Sequence, residues 1–236
     1  MNAVTPIPTL VSFPVPLWKR ALDLCLFVLA LPLLAPLTVL ISLFIKLSSP
    51  GPILFSQTRV GRAGKPFRCY KFRTMKPNAC TSGHELHLAS LMKSSTPMTK
   101  LDRGNDSRII PGGRLLRSSG LDELPQLINV LRGEMSIVGP RPCLPYEFSL
   151  YREHHKQRLA VVPGITGLWQ VTGKNRTTFE EMIDLDILYT RQVSFGLDIS
   201  IMLRTAGVLL HQVWEASVGS RSSTLVNPTA PIRDRA

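Results

Sequence analysis

The stretch LCLFVLALPLLAPLTVLISLFI, Leu24 to Ile45, holds 22 consecutive residues without a charge. Few soluble folds have a use for it. As a helix it would reach about 33 Å at roughly 1.5 Å per residue, enough to cross the hydrocarbon core of a bilayer. A buried soluble helix of that length keeps a polar face, and this one has none. It is also too long for the apolar part of a cleaved leader, and no small-x-small cleavage site follows it. Membrane insertion is therefore expected.

Spanning is a separate question. Lys19 and Arg20 precede the stretch, and Lys46, Arg59, Arg62 and Lys65 follow it. Basic flanks stay on the cytoplasmic side, so neither end favours the outside. Pro32 and Pro36 each remove a backbone hydrogen bond in the middle. Residues 24–35 alone reach about 18 Å, roughly one leaflet. A helix that enters, breaks near Pro36 and returns satisfies both signals. Residues 18–50 are accordingly read as a re-entrant, helix-break-helix anchor rather than a straight span, with both ends on the cytoplasmic face of a membrane.

The remainder reads as α+β and mostly helical. Residues 1–17 are Pro-rich and form an irregular lead-in. Two β-prone runs, Ile53–Thr58 and Phe67–Phe72, flank a Gly-rich turn and predict a small hairpin. Residues 77–107 look like a polar excursion with one short helix. Helices are expected around 115–119, 124–135, 144–158, 178–191 and 197–214. Together these make a compact cytosolic catalytic domain over 51–215, followed by a disordered tail from 216 to 236. The four cysteines show neither CxxC spacing nor disulfide density, which fits a reduced compartment.

The chain carries 28 Lys and Arg against 16 Asp and Glu, a formal net charge of +12. Such an excess suits phosphate-rich partners. Against that background two adjacent carboxylates, Asp122 and Glu123, open the helix whose apolar face is Leu124, Leu127, Ile128, Leu131 and Met135. Pro125 belongs in the first turn of such a helix. An acidic helix cap accounts for the pair without any chemistry. Alternatively the two divide labour: pointing about 100° apart on a helix, one attacks or holds a metal while the other handles a proton. Mg²⁺ takes one or two carboxylates plus substrate phosphates, a number this pair supplies.

Arg114 and Arg117 lie just upstream and Arg141 stands in GPRP. All three are candidate phosphate clamps, since a guanidinium matches phosphate oxygens bidentately. Lys174 and Arg176, in GKNR, are further candidates. Asp184 and Asp186 share a helix and suit sugar, metal or purely structural roles. The run HELH at 84–87 lacks the HExxH spacing and is read as a solvated turn; His154 and His155 are read as wet surface. Gly61, Gly64 and Lys65 are too closely spaced for a P-loop.

Three longer motifs, KFRTM (71–75), LDELPQLINVLRGEMSIVGPRP (121–142) and PGITGLWQVTGKN (163–175), together resemble the bacterial sugar transferases, monotopic phosphoglycosyl transferases, over roughly residues 17–212. The resemblance implies transfer of a sugar 1-phosphate from a UDP-sugar to undecaprenyl phosphate, with release of UMP, as a first membrane step of glycan or exopolysaccharide assembly. It implies that Asp122 is the nucleophile and that Glu123 assists, with Mg²⁺. It also implies that Pro36 marks the break of the membrane helix, with Ala35 here where some relatives have Ser. With about 17 residues ahead of the core, the minimal form is expected. Gly120 departs from the Ser that many members carry and Leu168 from the Trp of some, and both are expected to tune packing. Membrane lipids, a second copy of the chain and other glycan-assembly enzymes complete the expected partners.

Two other classes compete. A membrane-tethered nucleic-acid-binding protein would explain the charge, but it calls for basic residues clustered with exposed aromatics. The basic residues are instead spread along the chain, and only 3 Trp, 4 Tyr and 9 Phe are present; no nucleic acid partner is expected. A non-catalytic scaffold of a glycan-assembly complex would have no need of the Asp122–Glu123 pair.

Overall fold

The computed structural model describes residues 10–77, 82–94, 96–98, 106–173 and 176–222. The apolar stretch lies in one helix, α1 (Leu17–Ser48), 32 residues long. Among the described residues it is the one helix long and apolar enough to cross a membrane; its most apolar window has a mean hydropathy of 2.7 and is 6% buried. The helix runs without interruption through Pro32 and Pro36, so the expected break at Pro36 is not an interruption of helical structure. Each proline forfeits one N–H bond. Leaving the helix would strand several more backbone groups in an apolar run, which costs more.

The hairpin forms as expected, from β1 (Leu54–Val60) and β2 (Pro66–Phe72), antiparallel with Leu54 opposite Phe72 and Val60 opposite Pro66. The polar excursion contains α2 (Ser82–Lys93), and HELH lies within this helix rather than in a turn. Next come α3 (Gly113–Ser119), a 3₁₀ turn (Leu121–Glu123) and α4 (Gln126–Leu131). This last helix stops short of the expected 135, because the N–H groups of Glu134 and Met135 both turn back to Asn129 O.

Two short parallel strands were not foreseen: β3 (Ser136–Val138) and β4 (Gly164–Thr166), paired Ser136 to Gly164 and Val138 to Thr166. They bring the GPRP and PGITG motifs side by side. A Cβ on Gly164 would sit 2.0 Å from Gly139 N, so only glycine allows this approach. Between the strands, the helix expected over 144–158 is divided into α5 (Pro145–Ser149) and α6 (Glu153–Lys156). The chain is extended at Arg152, which carries Tyr151 and His155 into the core. After β4 follow α7 (Leu168–Thr172), α8 (Phe179–Gln192) and α9 (Phe195–Ser222). Helix α8 opens on a capping box in which the Thr178 and Glu181 side chains serve each other's backbone N–H. Helix α9 extends to Ser222, beyond the 214 expected; residues 1–9 of the lead-in and 223–236 of the tail lie outside the described residues.

Both ends of α1 are tied to the domain. At its start, Lys19 Nζ donates to Val138 O at 2.8 Å, Tyr189 Oη at 3.0 Å and Asp198 Oδ2 at 2.5 Å. One turn on, Asp23 Oδ1 accepts from Ser136 Oγ and Ile137 N, each at 3.0 Å. At its end, Ile41 and Ile45 are buried in a cluster with Phe72, Ile110 and Leu116. There Arg73 clamps the last turn, donating to Ser49 O at 2.8 Å, Ser49 Oγ at 3.0 Å and Pro52 O at 2.5 Å. Between these ties, Val28, Leu29, Leu33, Val39 and Leu40 are exposed.

Lys19 and Asp198 are 3% and 1% exposed. Removing one partner strands a buried charge, so Lys19→Met is expected to lower stability by about 3–5 kcal/mol. Denaturant unfolding in detergent measures this; the double variant Lys19→Met/Asp198→Leu should lose less than the sum of the single losses.

Candidate active site

Asp122 and Glu123 occupy the 3₁₀ turn just ahead of α4. The chain enters this turn through Gly120, whose φ of 74° is left-handed. Gly120 closes α3 and starts the turn in one residue. A serine there would carry the strain of a left-handed backbone, so glycine suits the conformation. Leu121 and Leu124, on either side of the pair, pack against the cluster of Ile41, Ile45 and Phe72. The flanking leucines thus fix the turn to the end of α1. Asp122 is buried, whereas Glu123 is partly exposed and accepts from Lys71 Nζ at 2.5 Å.

Lys71 was not singled out in the sequence. Strand alternation places it on the face of β2 that also carries Phe67 and Cys69, which pack with Val130 and Met135 at the α4 side. The edge of β2 is closed by Asn129, fully buried on α4. Its Oδ1 accepts from Tyr70 N at 3.2 Å, while Nδ2 donates to Arg68 O and to Glu134 Oε2, both at 2.7 Å. One side-chain amide thereby pairs with β2 as a neighbouring strand would, fixing Lys71 relative to Glu123.

The predicted basic residues fall into three groups. Arg117, on the last turn of α3, is half-buried and reaches Thr74 Oγ1 at 3.5 Å. Arg141 lies close enough to the Cys69 thiol to bias its titration, as do Lys71, Arg59 and Glu123. Those five side chains therefore share one neighbourhood. Arg59, the second residue the sequence reading missed, donates to Pro142 O at 3.1 Å; burial and then the like charge of Arg141 lower its guanidinium below the ordinary value. Arg114 is on the exposed side of α3, and Arg176 is exposed in the turn after α7, where its N–H donates to Gly173 O. Lys174 lies outside the described residues.

The GPRP loop that bears Arg141 is held carbonyl by carbonyl. Gly164 N donates to Pro140 O at 2.9 Å and Val60 N to Cys143 O at 2.9 Å. Arg158 Nη2 donates to Arg141 O at 2.9 Å, and Arg59 serves Pro142 O. Arg158 is fully buried and pairs with Asp186 and with Tyr151 Oη. Asp186 is thus structural, and the loop's rigidity comes from outside the loop. Asp184 instead meets exposed His154 at 3.2 Å. His155 is buried against Tyr151 and Phe179 and 3.0 Å from Glu180, not on the wet surface expected of it.

Neither buried thiol suits nucleophilic chemistry: burial raises Cys69 above its ordinary value and pushes Cys143 up to about 11. Among the described residues no group of three or more His, Cys, Asp or Glu is placed to hold a metal. The two hard oxygen donors at Asp122 and Glu123 fit a Mg²⁺ that completes its shell with substrate phosphates and water, and do not fit a closed all-protein site.

A model of the family described as bacterial sugar transferase matches residues 15–212. The chain is 40% identical over 216 residues to the UDP-glucose:undecaprenyl-phosphate glucose-1-phosphate transferase of Escherichia coli K12, covering 87% of this chain and 43% of that protein. It is 45% identical over 161 residues to the galactosyl transferase CpsE of Streptococcus agalactiae, covering 68% and 35%. To the exopolysaccharide production protein ExoY of Sinorhizobium fredii it is 37% identical over 187 residues, covering 79% and 83%. The chain therefore spans less than half the length of the first two relatives and most of the third.

Replacing Asn129 with Leu removes three hydrogen bonds and leaves the N–H of Tyr70 and the carbonyl of Arg68 without their partner. A loss of about 2–3 kcal/mol is expected, at roughly 1–3 kcal/mol per stranded group. Hydrogen exchange at the Tyr70 amide should quicken in step. Unchanged exchange there would show that Asn129 is not what holds β2 to α4.

Proposed function

The chain belongs to the bacterial sugar transferase family, and from that premise we propose that it moves a sugar 1-phosphate from a UDP-sugar to undecaprenyl phosphate, releasing UMP. The observation that carries this reading is the Lys71–Glu123 contact beside buried Asp122; Arg117 lies on the last turn of α3 just upstream, and Arg141 joins Lys71 and Glu123 among the charges acting on the Cys69 thiol. In the first step a carboxylate oxygen of Asp122 attacks the sugar-linked phosphorus. The bond from that phosphorus to the bridging oxygen breaks, and UMP leaves with the oxygen. In the second step an oxygen of undecaprenyl phosphate attacks the aspartyl phosphosugar and frees the Asp122 carboxylate. Arg117 and Arg141 bind and orient the diphosphate. Lys71 holds Glu123 in place, and Glu123 takes the proton from the lipid phosphate or positions that phosphate. Asp122 and Glu123 would hold Mg²⁺, whose contribution is to neutralise the diphosphate charge.

The reaction joins a soluble donor to a lipid acceptor, so the site belongs at the membrane surface. We read α1 as a re-entrant anchor whose two ends face the cytoplasm. Support comes from the ties at Lys19 and at Arg73, which bind both ends to one domain. Arg20 and Ile41 would stand about 32 Å apart on a straight helix at roughly 1.5 Å per residue. Arg20 and the Ile41 cluster nevertheless meet the two ends of Leu121–Leu131, a segment about 15 Å long at the same rise. A bend at Pro32–Pro36 would bring the two ends of α1 closer together.

Two experiments test the reading. Enzyme mixed with radiolabelled UDP-glucose or UDP-galactose and no lipid should release one equivalent of UMP in a burst and retain label. Asp122→Asn and excess chelator should each abolish that burst. Near wild-type turnover by folded Asp122→Asn would reduce the acidic pair to a helix cap. For topology, Leu17→Cys and Pro50→Cys in a cysteine-free background should both react only from the cytoplasmic side. Periplasmic labelling of the first would establish a span.

A further inference from the structure

Arg20, at the start of α1, donates from Nη1 to Val130 O and from Nη2 to Leu131 O, the latter at 2.6 Å. These carbonyls end α4, where a helix has acceptors without intrahelical partners and a cation is favoured. A forked guanidinium serves two of them at once. Helix α4 is six residues long, about 9 Å at roughly 1.5 Å per residue, and it begins just after the turn holding Asp122 and Glu123. A restraint on its last turn is therefore transmitted to the carboxylates.

The neighbouring residues of α1 grip the other half of the site. Lys19 holds Val138 O, and Asp23 holds Ser136 Oγ and Ile137 N. That strand, β3, runs directly into Gly139, Pro140 and Arg141. One turn and a half of the membrane helix thus fixes both the segment bearing the carboxylates and the segment bearing the phosphate-binding arginine.

We propose that Arg20 is a positioning residue, which sets Asp122 against the donor phosphate by holding α4 from its C-terminal end. Attack on the water-soluble donor then depends on a side chain of the membrane helix even when no lipid acceptor is present. The proposal rests on the two-step reading above. It goes beyond the positive flank that Arg20 gives the anchor, because Arg20→Gln removes the fork while Lys19 and Lys46 keep both flanks basic.

The test uses the full chain in nanodiscs, with radiolabelled UDP-glucose or UDP-galactose and no lipid acceptor, followed by rapid quench. Burst amplitude counts folded enzyme, whereas the burst rate constant reads the geometry of attack. In Arg20→Gln the rate constant should fall about tenfold or more, since small misplacements of a reacting group are that costly. Arg20→Lys, which returns a cation to the same carbonyls, should recover part of that loss. In cells, Pro50→Cys should remain labelled from the cytoplasmic side in both variants. A rate constant in Arg20→Gln within about twofold of wild type, whatever its amplitude, overturns the proposal, leaving Arg20 a role in folding or insertion alone. A wild-type enzyme that gives no burst rejects the two-step reading instead.

Discussion

An ammonium group withdrawn from water needs an acceptor for each of its three N–H bonds. Lys19 finds three, and they come from three different elements: the Val138 carbonyl of β3, the Tyr189 hydroxyl of α8 and the Asp198 carboxylate of α9. A tripod of this kind fixes orientation as well as distance. Tyr189 in turn donates to the second oxygen of Asp198 at 2.8 Å, so the group is closed and no member can shift alone. A hydrophobic contact would have tolerated sliding of α1 along the domain. The buried charge does not, and the register of the membrane helix against β3, α8 and α9 follows from it.

The second fully buried pair, Arg158 with Asp186, serves the loop that follows the same strand. Its guanidinium also binds Tyr151 Oη and Arg141 O. Buried ion pairs are weak contributors to stability when compared with apolar packing of equal volume, and their best-attested use is to specify one arrangement. That is how both pairs are deployed here. Lys19 sets where β3 begins its run into GPRP, and Arg158 sets the backbone on which Arg141 is displayed. The half-buried Arg141 is held by a charge pair that is itself shut off from solvent.

Much of this was legible in the sequence. The apolar run, the hairpin, the start of α8 and the acidic pair all carry local signals, namely uncharged length, alternation, a capping box and a proline in a first turn. What escaped was set by partners distant in the chain. Lys71 and Arg59 look like ordinary strand residues until α4 and the GPRP loop fold against β1 and β2. The β3–β4 pairing joins runs of three residues, too short for any periodicity to show. Asp186 gave no sign of its role because its partner, Arg158, lies 28 residues away. The continuity of α1 was missed for a different reason: two prolines were weighed as helix breakers without the cost of exposing further backbone in an apolar medium.

The KFRTM motif shows why five adjacent residues can be required together. Lys71 binds Glu123, Phe72 fills the cluster under the end of α1, Arg73 clamps that end, Thr74 meets Arg117, and Met75 bridges to Ile109. Strand alternation sends Lys71 and Phe72 to opposite faces, so one short segment touches the acidic turn with one face and the cluster under the end of α1 with the other. A change in the seat of α1 cannot reach Arg73 without reaching Lys71 two residues away. The membrane helix and the acidic pair are therefore joined at both ends, by Arg73 through β2 and by Arg20 through α4, and the site between them has no independent way to move.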